Sequence, residues 1–149
     1  ASRGGVENTL YSWGNEPVDR GDLKANVWEG TFPTNNKIKD EFYYTAPVKS
    51  YKPNKYGLYD IAGNVWEWCF DWYHYNYYKM VENQVSNNPQ GPTNSFDPME
   101  PYSPKKVIRG GSFLCNDSYC SGFRNSMRMK STADSSSLHT GFRTVMDIE

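Results

Sequence analysis

The sequence predicts an α+β domain with little regular secondary structure. Few windows show the periodicity of an amphipathic helix, and many short aromatic or β-branched segments are interrupted by Gly, Pro, Asn and Asp. The chain has 149 residues, which is enough for one domain with its own core and too few for two domains of ordinary size. We therefore expect one domain in which loops carry much of the chain.

The composition predicts an aromatic core and argues against polyanionic partners. Apolar residues make up only 37% of the chain, but they include 12 Tyr, 7 Phe and 5 Trp, so buried area has to come from rings. The 16 basic and 17 acidic side chains nearly cancel, so no overall field attracts nucleic acid or an anionic membrane. No stretch approaches the roughly 20 apolar residues of a membrane span. The first residues lack the apolar core of a signal peptide, so the sequence assigns no compartment.

The first strong strand signal follows a pair of turns. Residues 54–64 are typical of a turn, a short ordered segment and a second turn, and residues 65–73 then alternate as a strand does. In this strand the aromatic rings would share one face: Trp66, Trp68, Phe70 and Trp72. Cys69 would point to the opposite face, and we interpret it as a buried, inert thiol.

Two further strands and one long loop complete the pattern. Residues 106–109 predict a strand that enters a Gly-Gly turn, and residues 141–146 predict a closing strand. Residues 82–104 are rich in Asn, Pro, Ser and Gln without periodicity, which predicts an exposed, mobile loop or insertion. His74 is expected on a surface or in a loop.

The most informative chemical feature is a pair of cysteines, Cys115 and Cys120, in a run rich in glycine, aromatic and small polar residues. A thiol pair at this spacing can hold a soft metal ion, form a disulfide or carry redox chemistry. From spacing alone, a local disulfide or inert thiols are the commoner outcomes. With Cys69 the chain has three cysteines, so at least one is not paired within the chain.

A series of short motifs now identifies a family. They are Arg3-Gly4-Gly5, Tyr11-Ser12-Trp13-Gly14, Ala25-Asn26-Val27-Trp28, Thr45-Ala46-Pro47-Val48, Tyr56-Gly57-Leu58-Tyr59-Asp60, Gly63-Asn64-Val65-Trp66-Glu67-Trp68, Arg109-Gly110-Gly111-Ser112 and Gly141-Phe142-Arg143. In this order the chain resembles the C-terminal part of the formylglycine-generating enzymes, also called sulfatase-modifying factors. The resemblance covers most of the chain apart from the loop after Tyr78.

The resemblance implies a domain of the C-type-lectin-like kind, of which residues 1–149 form the C-terminal portion. The family domain normally begins well before the Arg3-Gly4-Gly5 motif, so we expect a missing N-terminal portion as a partner of this chain. Family members without catalytic thiols share the Gly-Asn-Val-Trp-Glu-Trp and Arg-Gly-Gly-Ser motifs. The cysteine pair is the feature that favours the catalytic branch.

The activity implied is oxidation of one cysteine in an unfolded sulfatase, within a Cys-x-Pro-x-Arg motif, to Cα-formylglycine. Molecular oxygen is the oxidant, and an external reductant supplies the remaining electrons. Cys115 and Cys120 would bind one Cu(I), which suits soft thiolates at low coordination number. Ser112 would have a polar role near the substrate or oxygen, and Trp66 would form a wall of the pocket.

The resemblance also implies structural calcium, bound by carboxylates and carbonyls that brace irregular loops. The first group of ligands would be the side chains of Asn26 and Asp40 with the carbonyls of Val27 and Phe42. The second group would be the side chains of Asp60 and Glu67 with the carbonyls of Gly63 and Val65.

Two positions depart from the family pattern near the cysteines. Gly122 stands where catalytic members usually carry an arginine beside the substrate groove, although Arg124 and Arg128 are retained. His139 replaces a small amide side chain close to the pocket, where its imidazole could accept a proton. We expect Arg124 and His139, together with Trp66, to contact substrate.

Three alternatives use the same fold differently. A non-catalytic binding or assembly module of a cell surface or secretion machinery would need no thiol pair. A carbohydrate-binding module would hold calcium against sugar hydroxyls and use its cysteines as a structural disulfide. An iron-dependent, sulfoxide-forming oxidase needs a histidine triad, which two scattered histidines do not supply.

Overall fold

The computed structural model describes residues 1–85 and 87–146. These contain six short strands and one helical turn. In chain order they are β1 (Gly30–Thr31), β2 (Asn35–Asn36), β3 (Trp66–Trp72), α1 (Tyr77–Met80), β4 (Lys105–Arg109), β5 (Met129–Thr132) and β6 (Thr140–Gly141). The predicted α+β class with little regular structure is confirmed. Within the described ranges, no helix has the length and apolar character needed to cross a membrane.

A four-stranded mixed sheet in the order β5-β4-β3-β6 forms the centre of the domain. The β3–β4 and β4–β5 pairs are antiparallel, whereas β6 pairs with β3 in parallel. β1 and β2 form a separate hairpin. Rings supply much of the core, as the composition predicts, together with small aliphatic residues; the buried aromatics are Tyr11, Trp28, Trp66, Phe113 and Phe123.

The predicted aromatic face of β3 is only partly correct. Trp66 is 5% exposed, but Phe70 is 81% exposed. The register between β3 and β4 shifts between Trp68 and Trp72, which breaks the strict alternation of sides along the strand. At the outer end the ammonium of Lys106 lies 5.0 Å from the centre of the Phe70 ring and 4.0 Å from that of Trp72, so the exposed rings contact a cation.

Cys69 on β3 is half-buried and forms no disulfide. Burial raises the pKa of its thiol, and the nearby carboxylates of Asp71 and Glu67 act in the same direction, against a lowering by Arg109. A thiol that resists ionisation is a poor nucleophile and metal ligand. This environment agrees with the inert role predicted for Cys69.

The predicted strand at residues 106–109 is confirmed and begins one residue earlier, at Lys105. The closing strand predicted for residues 141–146 is wrong, because only Thr140 and Gly141 pair with β3. Arg143 instead forms an ion pair with the Glu67 carboxylate, with Nε 2.5 Å from Oε2, and donates to the carbonyl of Tyr59. These contacts draw the chain away from the sheet after Gly141.

The segment 82–104, predicted to be an exposed loop, is exposed over most of its length but is anchored near its end. Asp97 is 1% exposed, and its Oδ2 lies 2.5 Å from Nζ of Lys105 and 2.6 Å from Nζ of Lys130. Glu100 also contacts Lys105, at 2.7 Å. A buried carboxylate needs such partners, and these attach the loop to β4 and β5.

Asn64 connects three distant parts of the chain beside the sheet. Its Oδ1 accepts hydrogen bonds from the Ala46 amide at 2.9 Å and from Nδ2 of Asn26 at 3.2 Å, and its Nδ2 donates to the Ala46 carbonyl. Its own carbonyl accepts from the Phe113 amide at 3.0 Å. The residue adopts a φ of 63°, which Asn tolerates better than most side chains.

Replacing Asn64 by Ala should destabilise the domain by about 3 kcal/mol, because three buried side-chain hydrogen bonds are lost and Ala is strained at a positive φ. Urea unfolding monitored by tryptophan fluorescence measures this change. Asn94→Ala, at an exposed position, is the control and should stay within about 0.5 kcal/mol of the parent. Equal stability of the two variants would contradict the role given to Asn64.

The ion pairs of Asp97 predict an acid-sensitive stability. Hydrogen bonds from Lys105 and Lys130 lower the pKa of Asp97 from 3.8 to about 2. Because the folded pKa is the lower one, this stabilisation is complete above pH 3.8 and is lost as the pH falls towards 2. The urea midpoint should fall across that window, and the fall should be smaller in Asp97→Asn. Identical profiles for the two proteins would refute this assignment.

Candidate functional site

Cys115 and Cys120 form a disulfide across a sequence separation of five residues, with their Cα atoms 5.3 Å apart. Cys115 is buried within the core cluster, and Cys120 packs against that cluster while remaining half-buried. Of the outcomes that the spacing leaves open, the structure shows the oxidised one. Metal binding by these sulfurs therefore requires prior reduction of the disulfide.

Glycines allow the chain to approach itself closely at the base of this loop. β4 leads directly into Gly110 and Gly111, which have φ of 92° and 75°. A Cβ on Gly111 would lie 2.7 Å from the Phe123 nitrogen, so a larger residue would separate the two ends of the cysteine loop. The Gly-Gly turn therefore brings the residues before Cys115 against those after Cys120.

Asn116 organises the turn between the two cysteines. Its side-chain Oδ1 accepts from the Tyr119 amide at 2.8 Å, and its carbonyl accepts from the Cys120 amide at 3.1 Å. Asn116 is not among the site residues predicted from the sequence. A detectable signal existed, because Asn commonly accepts a hydrogen bond from a backbone amide a few residues later in a turn.

Ser112 and Trp66, assigned to the pocket from the resemblance, lie against the cysteine loop but are not open to solvent. Ser112 is 1% exposed, and its Oγ lies 4.0 Å from Sγ of Cys115 and accepts from the Leu114 amide at 3.3 Å. Trp66 belongs to the same core cluster as Cys115. The structure thus brings Ser112 to the sulfur pair and places Trp66 beneath it.

Gly122 faces the Trp66 ring. A Cβ at this position would lie 2.5 Å from Cη2 of Trp66 and 2.9 Å from the Cα of Gly111. The absence of a side chain therefore has a packing reason in this chain, because it lets Trp66 fill the space next to the cysteine loop.

Arg124 and Arg128, the arginines retained near the cysteines, have different surroundings, and His74 lies next to the second of them. Arg124 is exposed and lies 3.7 Å from Asp117, which is inside the cysteine loop. Arg128 donates to the carbonyls of His74 and Tyr75 and lies over two tyrosine rings, so it braces the end of β3. His74 accepts from the Asn76 amide through Nδ1, as a loop residue would.

His139 lies beside Trp66, because its carbonyl accepts from the Trp66 amide at 2.8 Å. Its Nδ1 is buried and has no hydrogen-bond partner among residues 1–85 and 87–146. Buried polar atoms without partners are uncommon in folded proteins. Nδ1 of His139 is therefore an unsatisfied buried polar atom in the described part of the chain.

The first predicted calcium group has unused oxygen ligands. Asn26 is buried, and its Nδ2 donates to the Tyr44 carbonyl and to Asn64, while its Oδ1 accepts no hydrogen bond from the described residues. Asp40 is buried as well and accepts from the Phe42 amide and from the Tyr51 hydroxyl. Burial and the Asp40 charge raise the pKa of Tyr51, which keeps that hydroxyl protonated. Oxygen atoms of these kinds are the ligands that calcium prefers, and calcium at this group stays a prediction from the resemblance.

The second predicted calcium group is occupied by internal contacts. Both carboxylate oxygens of Glu67 are bonded to Arg143, and Oδ2 of Asp60 accepts from the Lys49 amide at 2.7 Å. A cation would have to displace Arg143 to use Glu67. With these internal contacts in place, the second group does not fit calcium. Calcium binding by this group stays a prediction from the resemblance.

A well-formed cavity lies away from the cysteines. It has a volume of about 340 Å³ and is lined by side chains from residues 3–24 and 51–62, with neither Cys115 nor Cys120 among them. Among the described residues, no three His, Cys, Asp or Glu side chains converge as a metal site.

The fold and the site define a loop-rich α+β domain in which a disulfide joins a buried cysteine to a half-buried one. The sequence comparison then gives the family. Residues 1–148 match the model of the sulfatase-modifying factor enzyme 1-like domain, and the chain belongs to this family.

The named relatives include both active and inactive proteins. The chain is 43% identical over 147 residues to a formylglycine-generating enzyme of Thermomonospora curvata, covering 99% of this chain and 46% of the relative. It is 43% identical over 145 residues to the mouse protein of that name, covering 97% and 36%. It is 33% identical over 146 residues to a bovine protein named inactive Cα-formylglycine-generating enzyme 2, covering 96% and 39%. The chain thus spans less than half the length of these relatives.

Solved structures show the same fold at lower identity. Treponema denticola variable protein 1 matches with a TM-score of 0.63 and 24% identity over 95% of this chain and 41% of that one. PvdO from Pseudomonas aeruginosa matches with a TM-score of 0.62 and 22% identity over 95% and 46%. These likenesses concern the fold alone.

The packing of Gly122 predicts that Gly122→Ala destabilises the domain by about 1–3 kcal/mol, since the added methyl group overlaps Trp66 and the backbone of Gly111. Urea unfolding measures the change, and Ser126→Ala, at an exposed position nearby, is the control. An unchanged unfolding midpoint in Gly122→Ala would show that Trp66 can move aside freely.

Proposed function

We propose that this chain carries the sulfur pair of a formylglycine-generating enzyme, which oxidises a cysteine within a Cys-x-Pro-x-Arg motif of an unfolded sulfatase. The observation that carries the proposal is the adjacency of Cys115 and Cys120 in a domain that is 43% identical to proteins named for this activity. A sulfatase polypeptide is accordingly the proposed partner. The C-type-lectin-like assignment of the fold stays a prediction from the resemblance.

The reaction balances with oxygen as the oxidant and a thiol as the reductant. A substrate side chain CH₂–SH, one O₂ and two reductant thiols give the aldehyde CHO, H₂S, H₂O and one reductant disulfide. The substrate carbon loses two electrons, the reductant loses two, and oxygen gains four. The external thiol also opens the Cys115–Cys120 disulfide, which is the form shown here.

The donor atoms present fit Cu(I). Two sulfurs already in contact can turn towards one ion once they are reduced, and soft thiolates favour Cu(I) at low coordination number. Bound copper would supply oxygen activation and a soft ligand site for the substrate thiolate. The chain itself would supply a packed base, because Cys115 lies in the core cluster.

The remaining site residues have proposed positioning roles. Ser112 would donate a hydrogen bond to the Cys115 sulfur after reduction, since its Oγ is already 4.0 Å away. Nδ1 of His139 would accept a proton or a hydrogen bond from substrate beside the Trp66 wall. Arg124, which is exposed at the edge of the loop, would contact the substrate chain. Calcium would brace the loop next to Asn64. Its ligands would be the side chains of Asn26 and Asp40 and the carbonyls of Val27 and Phe42.

A second candidate is a non-catalytic member of the family. Relatives named inactive are 33–34% identical and match 96% of this chain, so the domain occurs without the activity. In that case the disulfide would be purely structural, and the chain would act through binding.

The peptide assay distinguishes these functions. The protein is incubated in air with Cu(I), a thiol reductant and a Cys-x-Pro-x-Arg peptide, and the peptide is weighed by mass spectrometry. We expect the peptide to show the mass loss of thiol-to-aldehyde conversion. In Cys115→Ser and in Cys120→Ser the rate of this conversion should fall at least a thousandfold, because one sulfur cannot form the pair. Cys69→Ser is the matched control and should retain activity. Equal turnover in all four proteins would rule out a role for the pair.

A further inference from the structure

We infer that Asn116 is a positioning residue that keeps the Cys115 and Cys120 sulfurs together when their disulfide is reduced. The inference deepens the proposed function and rests on it for its biological meaning. Its physical basis is the hydrogen bonding of one buried amide, which is 6% exposed and lies between the two cysteines in sequence. None of its bonds uses sulfur.

On one side, Asn116 closes the turn. Its Oδ1 accepts from the Tyr119 amide at 2.8 Å and from Oγ of Ser118 at 3.1 Å. Its carbonyl accepts from the amides of Cys120 at 3.1 Å and Ser121 at 2.9 Å. Because these bonds join backbone and amide groups, they can persist after the sulfur–sulfur bond is broken. They hold the backbone of Cys120 close to that of Cys115.

On the other side, Asn116 fixes the turn to the β1–β2 hairpin. Its Nδ2 donates to the Gly30 carbonyl at 3.1 Å. The Trp28 amide donates to the Cys115 carbonyl at 2.9 Å, and the Phe32 ring stacks on Tyr119 with centroids 4.2 Å apart. The hairpin thus contacts the cysteine loop at three points.

Gly30 is required for this arrangement. It has a φ of 132°, and a Cβ there would lie 2.6 Å from the Asn35 carbonyl oxygen across the hairpin. The Gly30 carbonyl, which accepts the hydrogen bond from Nδ2 of Asn116, therefore belongs to a residue whose backbone conformation is rare for residues with a side chain. The acceptor is held in place by the hairpin and does not depend on the cysteines.

This arrangement should determine how easily the disulfide opens. Reduction by two thiols breaks the sulfur–sulfur bond, adds one proton to each sulfur and forms the reductant's disulfide. In the parent protein the open turn stays ordered, so closing it costs little chain entropy. Without Asn116 the reduced turn would gain conformational entropy, and forming the disulfide would have to remove that entropy again. The oxidised form would therefore be disfavoured relative to the reduced one.

The test measures the thiol–disulfide equilibrium directly. The chain is equilibrated with graded ratios of reduced and oxidised dithiothreitol, quenched with an alkylating reagent and analysed by mass spectrometry. Asn116→Ala should shift the equilibrium constant about tenfold towards the dithiol, which corresponds to the loss of one to two hydrogen bonds. Ser118→Ala, which removes only one bond to Oδ1, is the matched control and should stay within about twofold.

A second variant and a second readout keep the test decisive. Asn116→Asp retains an acceptor for the Tyr119 amide and loses the donor to Gly30, so we expect a shift between those of the parent and the alanine variant. Cu(I) affinity, measured by competition with a chromogenic chelator, should fall in the same order.

A purely structural role would destabilise oxidised and reduced protein equally and leave the equilibrium constant unchanged. If folded Asn116→Ala has a thiol–disulfide equilibrium constant within twofold of the parent value, the inference is overturned. If that variant does not fold, the same result in Asn116→Asp overturns it. Neither the thiol–disulfide equilibrium nor the Cu(I) affinity is measured with peptide or oxygen. A negative result for this inference is therefore distinct from failure of the proposed enzyme activity.

Discussion

The fold depends on satisfying buried backbone groups in a domain that has few sheet hydrogen bonds. Buried amides and carbonyls need partners, and here asparagine side chains supply many of them. Asn64 pairs with both backbone groups of Ala46. Asn54 donates to the carbonyls of Ala1 and Ser2, and Asn125 donates to that of Thr9. Each amide joins segments distant in sequence, so the asparagines hold loops in place as strand pairing does in more regular folds.

Glycines make the complementary contribution, because they let backbone approach backbone and ring. Gly111 and Gly122 touch each other and leave room for Trp66 and Phe123 below the cysteine loop. The sulfur pair therefore rests on a closely packed part of the core. Rigid support of this kind is what a site needs if two side chains must meet one small ligand with little reorganisation.

The sequence predicted the parts of the fold that follow from local pattern. The strands predicted at residues 65–73 and 106–109 follow from local pattern, and the cysteine pair stands out in the sequence by itself. The failures have long-range causes. Phe70 is exposed because the register shifts opposite β4, and residues after Gly141 leave the sheet because Arg143 pairs with Glu67. Asp97 is buried because Lys105 and Lys130, from two neighbouring strands, neutralise it. Partners on other segments also give Asn64 and Gly122 their importance.

The structure separates the stability of the cysteine loop from its disulfide. A cross-link that closes only about six residues removes little chain entropy, about 2 kcal/mol against nearly 5 for a loop of 100 residues. The loop also has attachments of its own, through the Gly111–Gly122 contact below and the Asn116 hydrogen bonds within. The disulfide therefore adds to attachments that the loop already has. Opening the sulfur–sulfur bond should accordingly leave much of the loop's packing and hydrogen bonding in place, which is what the proposed role of the pair requires.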